Sequence, residues 1–358
     1  MKKILLFIII CLFMITLSSC APASRRFEII FITNETVGPT DIYRIPNNTK
    51  NNIEQLTFTP NMGKYQLLVS KNGGEIIFND DSRHIYLLDT ASKKLVDITN
   101  VLIKYTMVWD WFTMDWSQDQ KQFAFDNGEG LKLMNFDGTN KRDISIPSLG
   151  ENPNIKEIEW SPDGKKLLLV LEETRQVQPG WGLFVYDLAS GELNQLTNYQ
   201  AGCYESKWSP TSQQVAVICQ TYAGPNTDML GPSIIHILNP KNPGQSYGNL
   251  ALSSCWDTSW SPDGKQLAFE CDKGNNQEGL FIINSDGNGL HEVKLGDLEH
   301  PPFLRYPFWS PDGTQIVFVA GTDYQHTNIY SVNVDGSNNH PLTHQTDGYQ
   351  IVAVYPVP

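Results

Sequence analysis

Basic residues are scarce in this chain of 358 residues: 26 Lys and Arg stand against 39 Asp and Glu, a formal net charge of −13. A body of that sign repels phosphate backbones and gains nothing from anionic lipid head groups, which counts against nucleic-acid binding and against electrostatic docking on a membrane. Cysteine is scarce too, with six residues and no CxxC pair, so the usual thiolate zinc motifs are missing. There is no GxSxG elbow, no HExxH and no Walker loop, which removes the common hydrolase, zincin and nucleotide-binding signatures. No linker, low-complexity tract or charge block interrupts residues 27–358, and no stretch there shows helical periodicity.

What is present is a repeated turn. WSPDGK at 160–165 returns at 260–265 and, with one change, at 309–314. Pro presets φ, Asp tolerates the bridge region and Gly supplies positive φ, so each copy reverses a strand. Weaker copies begin at Trp208, Trp116 and Val69, and the last fragment ends around Val354. The indices 69, 116, 160, 208, 260, 309 and 354 are 47, 44, 48, 52, 49 and 45 residues apart. That period fits one four-stranded propeller blade.

After each turn come β-rich runs separated by Gly, Asn and Asp, such as KLLLVLE, GLFVYDLASGE and LNQLT after Trp160. The second strand of each unit is apolar on consecutive residues, which requires both of its faces to be covered. The N-terminal runs FEIIFIT, DIYRIPNNT and IEQLT read as strands two to four of a unit, and the final YQIVAVYP reads as a lone first strand. The expectation is therefore an all-β chain: a seven-bladed propeller of four-stranded antiparallel blades, closed by Gln350 to Tyr355 joining residues 27–57, with no exposed sheet edge. Residues 27–358 form one domain.

The turn, the β run, an Ile-Tyr or Leu-Phe strand and a closing Leu-Thr together resemble the repeat of TolB-type β-propellers, relatives of the WD-repeat class, over about residues 27–358. The resemblance implies the fold and leaves function open, because the repeat also occurs in periplasmic scaffold proteins, prolyl peptidases and some polysaccharide lyases. TolB carries an α/β domain ahead of its propeller, whereas six residues separate Cys20 from Phe27 here, which counts against the TolB role. A peptidase reading would need a further catalytic domain beyond Tyr355.

Residues 1–19 carry two lysines and then an apolar run from Ile4 to Leu17 broken by Thr16, too short for a membrane span and suited to a secretory signal. The ending LSSC resembles a bacterial lipobox, which implies cleavage before Cys20, lipidation of its thiol and a short tether over residues 20–26. Removing the signal leaves 24 basic residues against 39 acidic, a net charge of −15. The protein is then exported and membrane-anchored, facing the periplasm or the cell surface.

Export makes disulfides available. Cys203 and Cys219 lie five before and eleven after Trp208, and Cys255 and Cys271 stand in the same relation to Trp260. In a hairpin turning near 211 or 263 each pair is directly opposed, close to disulfide range. Four free thiols or a shared metal site are the alternatives.

Candidate sites lie on loops and in the channel. Trp109, Trp111, Trp181, Tyr199, Tyr222, Trp256 and Tyr324 are placed to line a site for a sugar or peptide, although each also serves as loop packing. His84, His300, His326 and His344 fall among the same loops, and some propeller lyases similar to this repeat hold a metal through histidines there. NFDGTN, NSDGNG and NVDGSN look like calcium loops but read more simply as Asp-Gly hairpin turns. Three residues before each index lie Gln66, Thr113, Glu157, Glu205, Asp257, Tyr306 and Ile351. Glu157, Glu205 and Asp257 therefore gather at one level of the channel, where a divalent cation such as calcium, a ligand amine or basic neighbours such as Lys156 and Lys207 would offset them. The functional expectation is a non-catalytic module binding an envelope protein or a glycan. The rival is a metal-dependent polysaccharide lyase.

Overall fold

The computed structural model describes residues 26–357 apart from 34–40, 51, 60–61, 103–112, 127, 129, 137, 147–153, 174–179, 198–200, 223–229, 243–253, 276, 299–300 and 345–347. Cys20, Trp109, Trp111, Tyr199 and His300 lie outside the described residues.

The chain is all-β, with one short helix at Thr99–Leu102 and two short 3-10 turns among the described residues. No helix among them is long and apolar enough to cross a membrane. The first sheet holds β1 (Phe27–Thr33), β2 (Ile42–Ile45) and β3 (Glu54–Gln55). The second holds β4 (Tyr65–Val69), β5 (Glu75–Asn79), β6 (Ile85–Asp89) and β7 (Leu95–Asp97), and the third β8 (Thr113–Trp116), β9 (Gln122–Asp126), β10 (Leu131–Asn135) and β11 (Arg142–Asp143). Next come β12 (Asn154–Trp160), β13 (Lys166–Glu173), β14 (Gly180–Asp187) and β15 (Leu193–Gln195), then β16 (Ala201–Trp208), β17 (Val215–Tyr222) and β18 (Leu230–Leu238). The last two repeats are β19 (Cys255–Trp260), β20 (Gln266–Gly274), β21 (Gln277–Asn284), β22 (His291–Glu292) and β23 (Phe303–Trp309), β24 (Gln315–Gly321), β25 (Thr327–Asn333), β26 (His340–Pro341). The final strand, β27 (Tyr349–Pro356), pairs antiparallel with β1 in the order β27-β1-β2-β3.

Five sheets have four strands; the sixth has seven, because a parallel bridge between Trp181 and Gly202 joins β14 to β16. That bridge is a feature the repeat spacing does not show.

The turn chemistry acts as its residues dictate. Ser161 Oγ donates to Asp163 Oδ1 at 2.7 Å and accepts the Lys166 amide at 2.9 Å, while Gly164 sits at φ +72°. The same Ser–Asp bond recurs at Ser261–Asp263 and Ser310–Asp312. Degenerate copies keep it as Ser117–Asp119, Ser209–Thr211 and Ser70–Asn72, which is why the turn survives without Pro or Gly. The Asp-Gly turns at 284–289 and 333–338 are hairpins whose Asp286 and Asp335 accept the amides of Asn288 and Ser337.

Second strands are buried on both faces, as their unbroken apolar runs require. Leu167, Leu169 and Leu171 pack with Ala124, Leu131 and Leu133 of the preceding sheet, and Leu168 and Val170 pack with Trp208, Val215 and Val217 of the following repeat. Cys203 pairs with Cys219 and Cys255 with Cys271, each Cα–Cα 4.0 Å, and each pair is a directly opposed register partner of its hairpin.

Candidate functional site: the innermost strands and their cavity

Five of the first strands depart from regular pairing at the level of the sequence-predicted channel residues, whereas β8 keeps an unbroken register with β9. Register shifts lie between Tyr65 and Leu68, Ile155 and Glu157, Tyr204 and Lys207, Trp256 and Ser259, and Arg305 and Phe308. Gln66, Glu205, Asp257 and Tyr306 take left-handed φ values of 50°, 50°, 47° and 57°, conformations that non-glycine residues adopt only when their surroundings hold them. Simple alternation would put Glu205 on the face of Cys203 and Asp257 on that of Cys255. The bulge overrides that expectation and turns both carboxylates toward the next repeat.

Their partners are backbone amides of the next repeat. Glu157 accepts the Glu205 amide at 2.8 Å and the Ser206 amide at 3.1 Å, Glu205 accepts the Asp257 amide at 2.8 Å, and Asp257 accepts the Tyr306 amide at 3.0 Å. A bulge frees an amide from its ladder, and the preceding carboxylate supplies the missing acceptor. Glu157, Glu205 and Asp257 thus form a relay rather than a shared cage, and among the described residues no group of His, Cys, Asp and Glu is arranged to hold a metal ion. Lys156 is engaged elsewhere, 2.9 Å from Glu172.

A second level, one residue before each Trp, was not singled out from the sequence. Asp115 accepts the amide of Trp160 at 2.6 Å and Glu159 that of Trp208 at 3.0 Å, while Trp260 and Trp309 donate their indole N–H to the carbonyls of Lys207 and Ser259. The signal was available, since the same count from Trp that found the first level finds Asp115, Glu159 and Lys207 one position back.

Between these strands lies a cavity of about 520 Å³, walled by residues of β4, β8, β12 and β16, including Leu68, Trp116, Ile158, Asp115, Glu159, Glu205 and Lys207. Its volume is in the range of small-ligand sites. Burial pushes Asp115 up to about 6, against the pull of the Trp160 and Trp116 amides. Burial carries Glu159 up to about 8 despite Lys207, with Asp115 and Glu157 adding repulsion. Glu205 rises to about 7, through burial first and the charge of Asp257 second. Burial would lower Lys207, yet Glu159, Glu157, Asp115 and Glu205 outweigh it and hold the ammonium above the ordinary lysine value. Protein surrounds Lys207, but its side chain stands open to the cavity.

The other predicted residues do not come together. Trp181 packs on the core beside Leu168 and Trp208. Trp256 lies under the Arg305 guanidinium, 4.7 Å from the ring centre, and Tyr324 is 55% exposed on the turn before β25. Tyr222 ends β17, and nothing further is described of its side chain. His84 lies 3.6 Å from Asp80 and His326 2.8 Å from Asp323, each beside its own local carboxylate, and His344 is exposed after β26.

No protein-family model matches the chain, and a search of curated proteins finds no match. Solved structures share its fold. TolB from Acinetobacter baumannii is 16% identical with a TM-score of 0.50, covering 75% of this chain and 64% of its own. An oligogalacturonate lyase in complex with manganese is 14% identical with a TM-score of 0.59, over 88% of this chain and 85% of that one. A prolyl endopeptidase is 13% identical with a TM-score of 0.60, over 92% of this chain and 50% of that one. The chain therefore spans less than two thirds of the TolB and half of the prolyl endopeptidase. It has a TolB-like β-propeller fold, a likeness that extends to the fold alone.

Proposed function

We propose that the protein is an exported, lipid-anchored seven-bladed propeller, its ring closed by β27 on β1, that binds an envelope protein or a glycan at its central cavity without catalysis. The seven first strands, six of which begin a contiguous repeat, support the blade count, and the antiparallel register of β1 with β27 supports closure. Two cross-strand disulfides support an oxidising compartment.

The observation that carries the binding reading is the cavity of about 520 Å³ lined by four carboxylates and two lysines, of which Lys71 donates to Gln118 at the rim and Lys207 stands among the carboxylates. Asp115, Glu157, Glu159 and Glu205 already accept backbone amides, so they shape the wall, while Lys207 stands open to a ligand. A second reading rests on the same groups. Glu159 and Glu205 titrate near neutrality beside a lysine, which suits proton transfer in the elimination chemistry of a polysaccharide lyase.

The test is capture from a cell-envelope extract with the immobilised full chain, wild type against Lys207→Met. A protein or glycan retained by wild type and lost by Lys207→Met supports the reading; equal retention by both overturns it. Conversion of an acidic polysaccharide to an unsaturated product would decide for the lyase instead.

A further inference from the structure

Glu270 is fully buried in β20; no N–H or hydroxyl donates to its carboxyl oxygens, and the group within hydrogen-bonding reach is the carboxyl of Asp257. The repeats supply an internal control. Ten residues after the index Trp, β13, β17 and β24 carry Val170, Ile218 and Val319, all fully buried. The two earlier copies are Asn79 and Asp126, the latter capping the amides of Gly128 and Gly130. An aliphatic side chain therefore satisfies the fold at this place, and Glu270 has no capping task of its own.

What faces Glu270 is a seam between two repeats. The Arg305 guanidinium of β23 stacks over Trp256 and over Phe303, with its Nε 3.6 Å from Glu270 and its Nη1 2.6 Å from Glu278. Glu278 also accepts the Leu304 amide at 2.5 Å, so it holds β23 by both backbone and side chain. Asp257 on β19 holds the adjoining Tyr306 amide and passes the connection through its own amide to Glu205, which lines the cavity. The charged and titratable groups around Glu270 are thus Asp257 on β19, Glu205 on β16, Glu278 on β21, and Arg305 and Tyr306 on β23.

We propose that Glu270 and Arg305 form a proton-operated latch between the β19–β22 and β23–β26 sheets that regulates how firmly the cavity wall is held; its bearing on a ligand rests on the binding reading above. With its proton in place, Glu270 is a neutral acid and Arg305 belongs to Glu278. Loss of that proton to solvent leaves a buried carboxylate that competes for the guanidinium, loosens the hold of Glu278 on Leu304 and sets a second negative charge against Asp257. Burial and the charge of Asp257 raise Glu270 well above the ordinary glutamate value and outweigh Arg305, in keeping with an acid that is neutral at rest.

The test is hydrogen–deuterium exchange on the full chain without ligand, from pH 5 to pH 9, comparing wild type with Glu270→Gln and Glu270→Val. Segments 201–208, 255–260 and 303–309 should lose protection in wild type on raising pH, by about tenfold more than in Glu270→Gln for each pH unit across the titration. Glu270→Gln stays neutral at every pH and carries the test if the valine variant fails to fold. Equal pH dependence in wild type and Glu270→Gln overturns the latch. That outcome leaves the binding reading standing, and a failed capture experiment leaves the exchange result unaffected.

Discussion

The carboxylate of Glu205 accepts the backbone amide of Asp257 at 2.8 Å, and the two residues occupy the same place in successive repeats. The bond exists because Asp257, at φ 47°, has turned its amide out of the ladder. Glu205→Ala should leave that amide without its acceptor and cost about 1–3 kcal/mol at pH 5, measured by denaturant unfolding. Glu205→Gln keeps an acceptor oxygen and removes the charge that faces Asp257. It should lie near wild type at pH 5 and above it at pH 8, and a glutamine variant as weak as the alanine variant would refute the capping role.

Stability should fall as pH rises from about 5 to 8. Asp115, Glu205 and Glu159 have folded values of about 6, 7 and 8, all above their unfolded values, so the folded state binds more protons in this window. Unfolding then releases protons and becomes easier with rising pH; the stabilisation is complete below the unfolded values and is lost progressively up to each folded value. A melting temperature that climbs between pH 5 and pH 8 contradicts this assignment.

Each disulfide closes a loop of about 15 residues, worth roughly 3 kcal/mol in the chain-entropy account. Removing Cys203 and Cys219 together, or Cys255 and Cys271 together, should lower unfolding stability by about that amount. Peptide mapping without reductant should recover the same two pairs. Crossed pairs between hairpins would contradict the register.

Cys20 lies outside the described residues, and its lipidation is proposed from LSSC alone. Cys20→Ser should shift the protein from the membrane fraction to the soluble one. Mass spectrometry of the wild-type N-terminal peptide should show an acylated Cys20; an unmodified residue 20 with unchanged membrane partitioning would overturn the anchor.

Much of the fold was legible because its causes are local. A turn such as Ser161 to Lys166 is made by residues two to five apart, and the unbroken apolar run of β13 states directly that both of its faces are covered. Even the disulfide pairs follow from counting, since opposed residues of a hairpin are fixed by the position of its turn. Counting also brought Glu157, Glu205 and Asp257 to one level, but as candidate cation ligands, because alternation in a sequence carries no sign of a bulge.

The tertiary structure decided what those carboxylates do. The left-handed turn at Glu205, Asp257 and Tyr306 exposes amides toward the neighbouring repeat, and only the spacing between repeats tells whether a side chain reaches a neighbour's amide or a common ion. Glu270 and Arg305 were silent for the same reason: their behaviour depends on the desolvation and charge that partners far away in the chain impose. Sequence alone determined the repeat, its strands and its turns, because these are written within one repeat length. The chemistry of the cavity belongs to contacts between repeats, about 50 residues apart in the chain, such as Trp260 with Lys207 at a separation of 53, and only folding brings those together.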